Sequence, residues 1–252
     1  MEDTPQMLDS ETPVPTPAPV ASLTPSPGQD IPPAPLGFGT RLGLLFSSPA
    51  KLGDEVREHP AWFGPLLLGL VLTLIGTAVI PAEVFVEANR AAAAGTGQEL
   101  PAFMQGAFFK YAALGGITIF WFVMNLITAG LVTLVFAFVM GDEGRFKQYL
   151  AAAAWASVIA GAAALVLSPL RVITRDPQLS LGLGTFAELV MDGGYPLRLA
   201  KMVDFFSLWS WAVLGAVASR FDKQRSIGSG ITVMLVIMLS ILSVIAIFLP
   251  DT

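Results

Sequence analysis

The chain has 252 residues, of which 54% are hydrophobic and only 13% charged, and its mean hydropathy is +0.68. Ordinary soluble domains carry roughly 25% charge, so this balance argues against a water-soluble core and makes the bilayer the natural solvent. The absence of cysteine excludes disulfides, thiolate metal sites, palmitoyl anchors and cysteine nucleophiles, and the net charge of -5 comes from five acids in the first 36 residues, beyond which 14 basic and 14 acidic residues cancel and leave no basic stripe for nucleic acid.

Residues 1–36 hold ten of the 19 prolines among small and polar residues, as in Thr12-Pro13-Val14-Pro15-Thr16-Pro17. Missing backbone donors and a fixed φ favour polyproline II, so a disordered Pro-rich tail is expected, a solubilising spacer rather than a docking strip. Its acidic start lacks the basic region and apolar run of a cleavable signal peptide. Residues 37–61 read as a juxtamembrane segment. Ser48 as N-cap, Pro49 at the first helical position, and Leu52 and Val56 four apart predict a short interfacial helix ended by Pro60. Leu42, Leu44, Leu45 and Phe46 are expected at headgroup level, with Trp62 in the aromatic belt.

Residues 62–250 are expected to form an all-α membrane bundle of about five transmembrane helices. The first span is Trp62–Pro81, twenty residues without a charge, enough to cross a hydrocarbon core of about 30 Å. A polar connection with Glu83, Glu87, Arg90 and Glu99 follows. Ala107–Met140 then carries a single charge, Lys110. It is too short for two crossings and a turn, which favours one tilted or extended helix, bent at Gly115-Gly116, over a hairpin centred on Asn125. After the charged turn from Gly141 to Lys147, Tyr149–Leu170 is the third span. Its small residues recur every four positions (Ala153, Ser157, Gly161 and Ala156, Ala160, Ala164), so neighbouring backbones can approach closely and this helix belongs inside the bundle. In the polar connection Arg171–Lys201, a short surface helix is expected over Thr185–Met191, broken by Gly193-Gly194. The fourth span, Phe205–Ser219, is short unless its helix begins near Pro196. The fifth is Ser226–Pro250.

With five spans and the N-terminus inside, eight of the 14 Lys and Arg fall on the cytoplasmic side, five of them clustered in the two tight connections around residues 145 and 223. The spans hold no Asp, Glu, Arg or His near their centres, which speaks against proton relays. Asn125, Thr128, Thr73 and Thr77 are expected to bond a neighbouring helix or their own i-4 carbonyl. His59, the sole histidine, is expected to meet the C-terminal dipole of the interfacial helix as a cation. Asp142 and Glu143 have no evident partner base, and no GxSxG, HExxH or GxxxxGK[ST] pattern is present. No catalytic, metal or cofactor site is therefore expected. Phe146, Trp62 and Trp209 are read as packing or interfacial anchors.

Four stretches carry a family resemblance: Leu45-Phe46-Ser47-Ser48-Pro49-Ala50-Lys51, His59-Pro60-Ala61-Trp62, Gly144-Arg145-Phe146-Lys147-Gln148 and Asp204-Phe205-Phe206-Ser207-Leu208-Trp209. Their order among five apolar spans resembles the Yip1-domain family of multi-spanning membrane proteins, particularly its prokaryotic branch, over residues 40 to 250. The resemblance implies a five-helix bundle in the prokaryotic cytoplasmic membrane with a cytoplasmic N-terminus. Eukaryotic members are associated with Rab GTPases and vesicle traffic, but their DLYGP-type motif is missing from this sequence. The expected function is that of a non-enzymatic protein that organises or binds other membrane components, with the lipid bilayer and other membrane proteins as partners. A small-solute permease or transporter subunit is the alternative. An intramembrane enzyme would need a nucleophile among serines such as Ser157 or Ser210.

Overall fold

The computed structural model describes residues 34–248 apart from 96, 98, 100, 105, 106 and 192, so the expected tail lies outside the described residues except at its end. From Pro35 onward the described residues belong to one compact unit. It opens with two short helices, α1 (Phe38–Ser47) and α2 (Pro49–Glu58). Pro49 stands at the start of α2 as expected, but the Ser48 side chain makes no cap bond. Ser48 serves through its backbone, its N–H donating to the Leu44 carbonyl at 2.8 Å and its carbonyl accepting from Leu52 N at 3.2 Å. Nor do residues 42–46 simply rest at a headgroup layer. Leu45 is buried in the core with Leu52 and Val56, the Phe38 ring stacks on Trp155 at 5.3 Å, and Phe46 meets Trp209 edge-on at 5.5 Å. Burial of Leu45, with the contacts of the half-exposed Phe38 and Phe46 rings, offsets the cost of ordering α1 against the bundle.

Helix α3 (Phe63–Val79) ends where Ile80 takes the extended backbone (ψ 126°) favoured before a proline. The chain then turns by 81° into α4 (Ala82–Gly95). The sequence predicts a polar connection here. It is helical because Pro81 opens a new N-terminus, Glu83 complements its dipole, and the alanines that follow are strong helix formers.

Helix α5 (Ala107–Thr133) runs unbroken through Gly115-Gly116 and Asn125, and continues as a π-helical turn over Leu134–Val139. The single-helix reading therefore holds and the hairpin does not form. The irregularity lies at the far end of the helix, not at the glycines. Helix α6 (Phe146–Thr174) outlasts its expected end at Leu170 although it contains Pro169. Pro169 cannot donate to the Leu165 carbonyl, and the Ser168 hydroxyl donates to that carbonyl instead, at 2.8 Å. α6 stops at Arg175, the one non-glycine residue with positive φ (56°) among the described residues.

The expected surface helix over 185–191 shrinks to α7 (Gly184–Ala187), and α8 (Tyr195–Met202) follows. A fourth span continuous from Pro196 is not found. Asp204 breaks it, its carboxylate accepting from Phe206 N at 2.9 Å and Ser207 N at 3.0 Å, and so caps α9 (Phe205–Ala218). A 3-10 turn, Ser219–Phe221, extends α9, and α10 (Ile227–Phe248) completes the chain.

The architecture is an all-α membrane bundle, with no β-strand among the described residues. Among the described residues three helices, Phe108–Val139, Phe146–Thr174 and Ile227–Phe248, are long and apolar enough to cross a bilayer, and the bent α3–α4 pair is a fourth candidate when taken as one broken span. The apolar helix Phe205–Phe221 is shorter, about 25 Å at 1.5 Å per residue. α6 lies at the centre. Of its most apolar window 67% is buried, against 22% for α5 and 17% for α10. The small-residue register explains why: a Cβ at Gly161 would lie 2.4 Å from the Gly69 carbonyl oxygen, and one at Gly76 2.5 Å from that of Ala164. Gly215 and Gly230 bring α9 and α10 together in the same way.

Candidate functional site

Charge concentrates at the end of the bundle where α2, the 141–145 turn and the 219–226 turn meet. The π-helical turn makes this possible. Its wider winding closes with Met140 N on the Val135 carbonyl and Asp142 N on the Phe136 carbonyl, each at 2.9 Å, and this carries Asp142 inward. The Asp142 carboxylate is fully buried and pairs with Arg225, whose Nε donates to its two oxygens at 2.9 and 2.8 Å while Nη2 donates to Oδ1. The guanidinium also lies over the Phe136 ring, 5.7 Å from its centroid. Asp142, which had no evident partner in the sequence, thus has one 83 residues away. The hydrogen bond to Asp142 pushes the Arg225 pKa up, with burial working against it. The stability that comes with a raised basic pKa is fully present below the ordinary arginine value and is lost only as pH rises through the raised one, so Arg225 keeps its charge throughout the neutral range.

Two further ion pairs bind α2 into the same end. Arg41, 5% exposed, donates to Glu55 Oε1 at 2.5 Å and to the carbonyls of His59 and Leu36, each at 3.0 Å. The cation expected at the C-terminus of α2 is therefore Arg41 more than His59, whose Nδ1 lies 3.5 Å from the same Glu55 oxygen. Arg220 Nε pairs with Asp54 at 2.8 Å. Gln148 Nε2 donates to the Arg57 carbonyl at 2.6 Å and so ties α6 to α2. Between these elements opens a polar cleft of about 620 Å³, lined by Arg57, Glu143, Arg145, Gln148, Asp222 and Lys223. Arg145 and Lys223, in its lining, are exposed, as are Lys51 in α2 and Lys147 in the first turn of α6.

A second feature lies within the apolar part of the bundle. α5 and α9 each pack on α6, and a cavity of about 220 Å³ between them is lined by Trp121, Asn125, Thr128, Ser157, Ser210 and Trp211 among others. Asn125 is 7% exposed and its amide nitrogen donates to its own i-4 carbonyl, Trp121, at 3.0 Å, as Thr73 does to Gly69 at 2.9 Å. The serines weighed as nucleophiles have committed their protons: Ser157 donates to the Ala154 carbonyl at 2.8 Å and Ser210 to that of Ala156 at 2.9 Å. Neither has a histidine, lysine or carboxylate beside it in the cavity lining. Trp62 and Trp209 pack against the core, while Phe146 is 46% exposed at the start of α6.

A central small-residue helix, a ring of apolar helices and a charged end define a polytopic helical membrane protein. The chain belongs to the Yip1-domain family, whose model matches residues 42–245. Comparisons with curated proteins and with solved structures find no match.

Proposed function

We propose that this chain is a non-enzymatic membrane protein that organises or binds other membrane components through its charged end, lying in a prokaryotic cytoplasmic membrane with that end and the N-terminus in the cytoplasm. The observation that carries this reading is the way three distant segments are locked together by the Asp142–Arg225, Asp54–Arg220 and Glu55–Arg41 pairs. The exposed Lys51, Lys147 and Lys223 form no ion pair among the described residues. A rigid frame with free cations suits recognition of an acidic protein surface more than it suits chemistry. The cytoplasmic placement rests on the clustering of Lys and Arg in the tight turns at this end.

Photo-crosslinking residues placed at 51, 147 and 223 in living cells test the proposal. The same partner should appear from all three sites and be lost when Lys147 and Lys223 are replaced by Glu. Adducts that scatter without repeating, or that survive charge reversal, would refute it. The permease alternative has the Asn125 cavity in its favour. A transported solute should raise the unfolding temperature of the purified protein, and a broad panel of small solutes with no such effect would remove that reading.

A further inference from the structure

The cavity between α5 and α9 has an imbalance of hydrogen-bonding groups that specifies what it can hold. The Asn125 amide nitrogen is committed to the Trp121 carbonyl, which fixes the orientation of the carboxamide, and its Oδ1 accepts no hydrogen bond among the described residues. Ser157 and Ser210 have spent their protons on backbone carbonyls, so only lone pairs remain to them. Thr118 and Thr133 return their hydroxyls to the carbonyl four residues back, whereas Thr128, in the cavity wall, makes no such bond and keeps a donor as well as an acceptor, and the Trp211 indole N–H beside it is a donor without a partner among the described residues. The lone pairs of Asn125, Ser157, Ser210 and Thr128 still outnumber these donors, so the cavity offers a surplus of acceptors. An acceptor left unpaired in hydrocarbon is costly, so an occupant carrying a donor is favoured over a bare acyl chain.

Charge and depth narrow the occupant further. No ionisable side chain lines the cavity, so a charged group would go unpaired. Asn125 lies near the middle of the apolar helix Phe108–Val139, more than about 20 Å of helix from either end. A phospholipid headgroup is held at the interface and does not reach that depth, but an uncharged amphiphile does. The volume of about 220 Å³ corresponds to about seven waters at roughly 30 Å³ each, which admits a polar end and a few carbons, not a whole lipid. The remaining chain can leave past Phe120 and Met124, which are 62% and 38% exposed on the outer surface of α5.

We infer that this cavity is a binding site for an uncharged, hydroxyl-bearing lipid such as a long-chain alcohol, whose hydroxyl donates to Asn125 Oδ1 while its chain runs out between α5 and α9. The inference is independent of partner binding at the charged end, and its test reads the purified protein alone.

The test uses the full chain in lipid nanodiscs and two photoactivatable probes, a diazirine-bearing octanol and the matching diazirine-bearing octane, with adducts mapped by mass spectrometry. The octanol probe should label the cavity walls about five- to tenfold more than the octane, the factor that one net hydrogen bond provides. Unlabelled octanol should compete this excess away. N125L should reduce octanol labelling to the octane level, since an apolar replacement of similar size leaves the helix intact. A160L, which fills the cavity from an exposed position on α6, should suppress both probes and serves if N125L proves unstable. Equal labelling by both probes, an excess that survives either substitution, or no adducts at the cavity, as water filling would produce, would overturn the inference.

Discussion

Asp142 shows how a single residue can be misread from sequence. With Glu143 beside it, it reads as part of a charged turn without a partner base, yet its carboxylate is wholly buried against Arg225. Its partner lies beyond α6, α7, α8 and α9 in the chain, and the π-helical turn that aims it inward leaves no periodic signal in the sequence. Removing one member of such a pair strands the other, so D142A and R225A should each lower stability by about 3–5 kcal/mol, with the double variant losing clearly less than their sum. Thermal unfolding in detergent checks this; additive losses would mean that the two side chains do not act as a pair. Ser168 and Pro169 make a smaller unit of the same kind. S168A should cost about 1 kcal/mol because the part-buried Leu165 carbonyl then loses its donor, and an unchanged unfolding temperature would show that the carbonyl finds another.

At the scale of the helices, the centre of the bundle was legible and its edges were not. The four-residue recurrence of Ala153, Ser157 and Gly161 placed α6 inside, and the structure sets Gly161 directly on Gly69. G161V forces side-chain atoms into that backbone contact and should cost about 3 kcal/mol, the upper part of the usual range for overpacking. G115A is the control: nothing lies within 4 Å of its added carbon, and a helical glycine there gains propensity from alanine, so stability should hold or rise. If both variants behaved alike, close backbone approach would not hold α3 to α6. The break before α9 was readable in principle, because Asp204 directly ahead of an apolar run is a favoured N-cap residue. The shortness of Phe205–Ser219 as a span points instead to a helix begun near Pro196. Similarly, Pro81 marked the end of α3, but only tertiary structure shows that α4 restarts at once.

For the whole molecule, hydropathy and segment length were sufficient to predict a membrane bundle, because the bilayer demands satisfied backbone groups along every crossing. The polar interior was not legible: which charges meet depends on how α2, the 141–145 turn and the 219–226 turn converge, and those contacts span up to 166 residues of sequence. The cavity around Asn125 likewise arises from the spacing of α5 and α9 on α6, which no local pattern encodes. If the charged end faces the cytoplasm, as proposed, it lies across the membrane from the 175–201 connection. Because the chain has no cysteine, single cysteines can be introduced at Lys147, Lys223 and Gln178 and exposed to a membrane-impermeant maleimide in intact cells. The account predicts that positions 147 and 223 stay protected until the membrane is opened while 178 reacts at once; labelling of 147 or 223 from outside would contradict it.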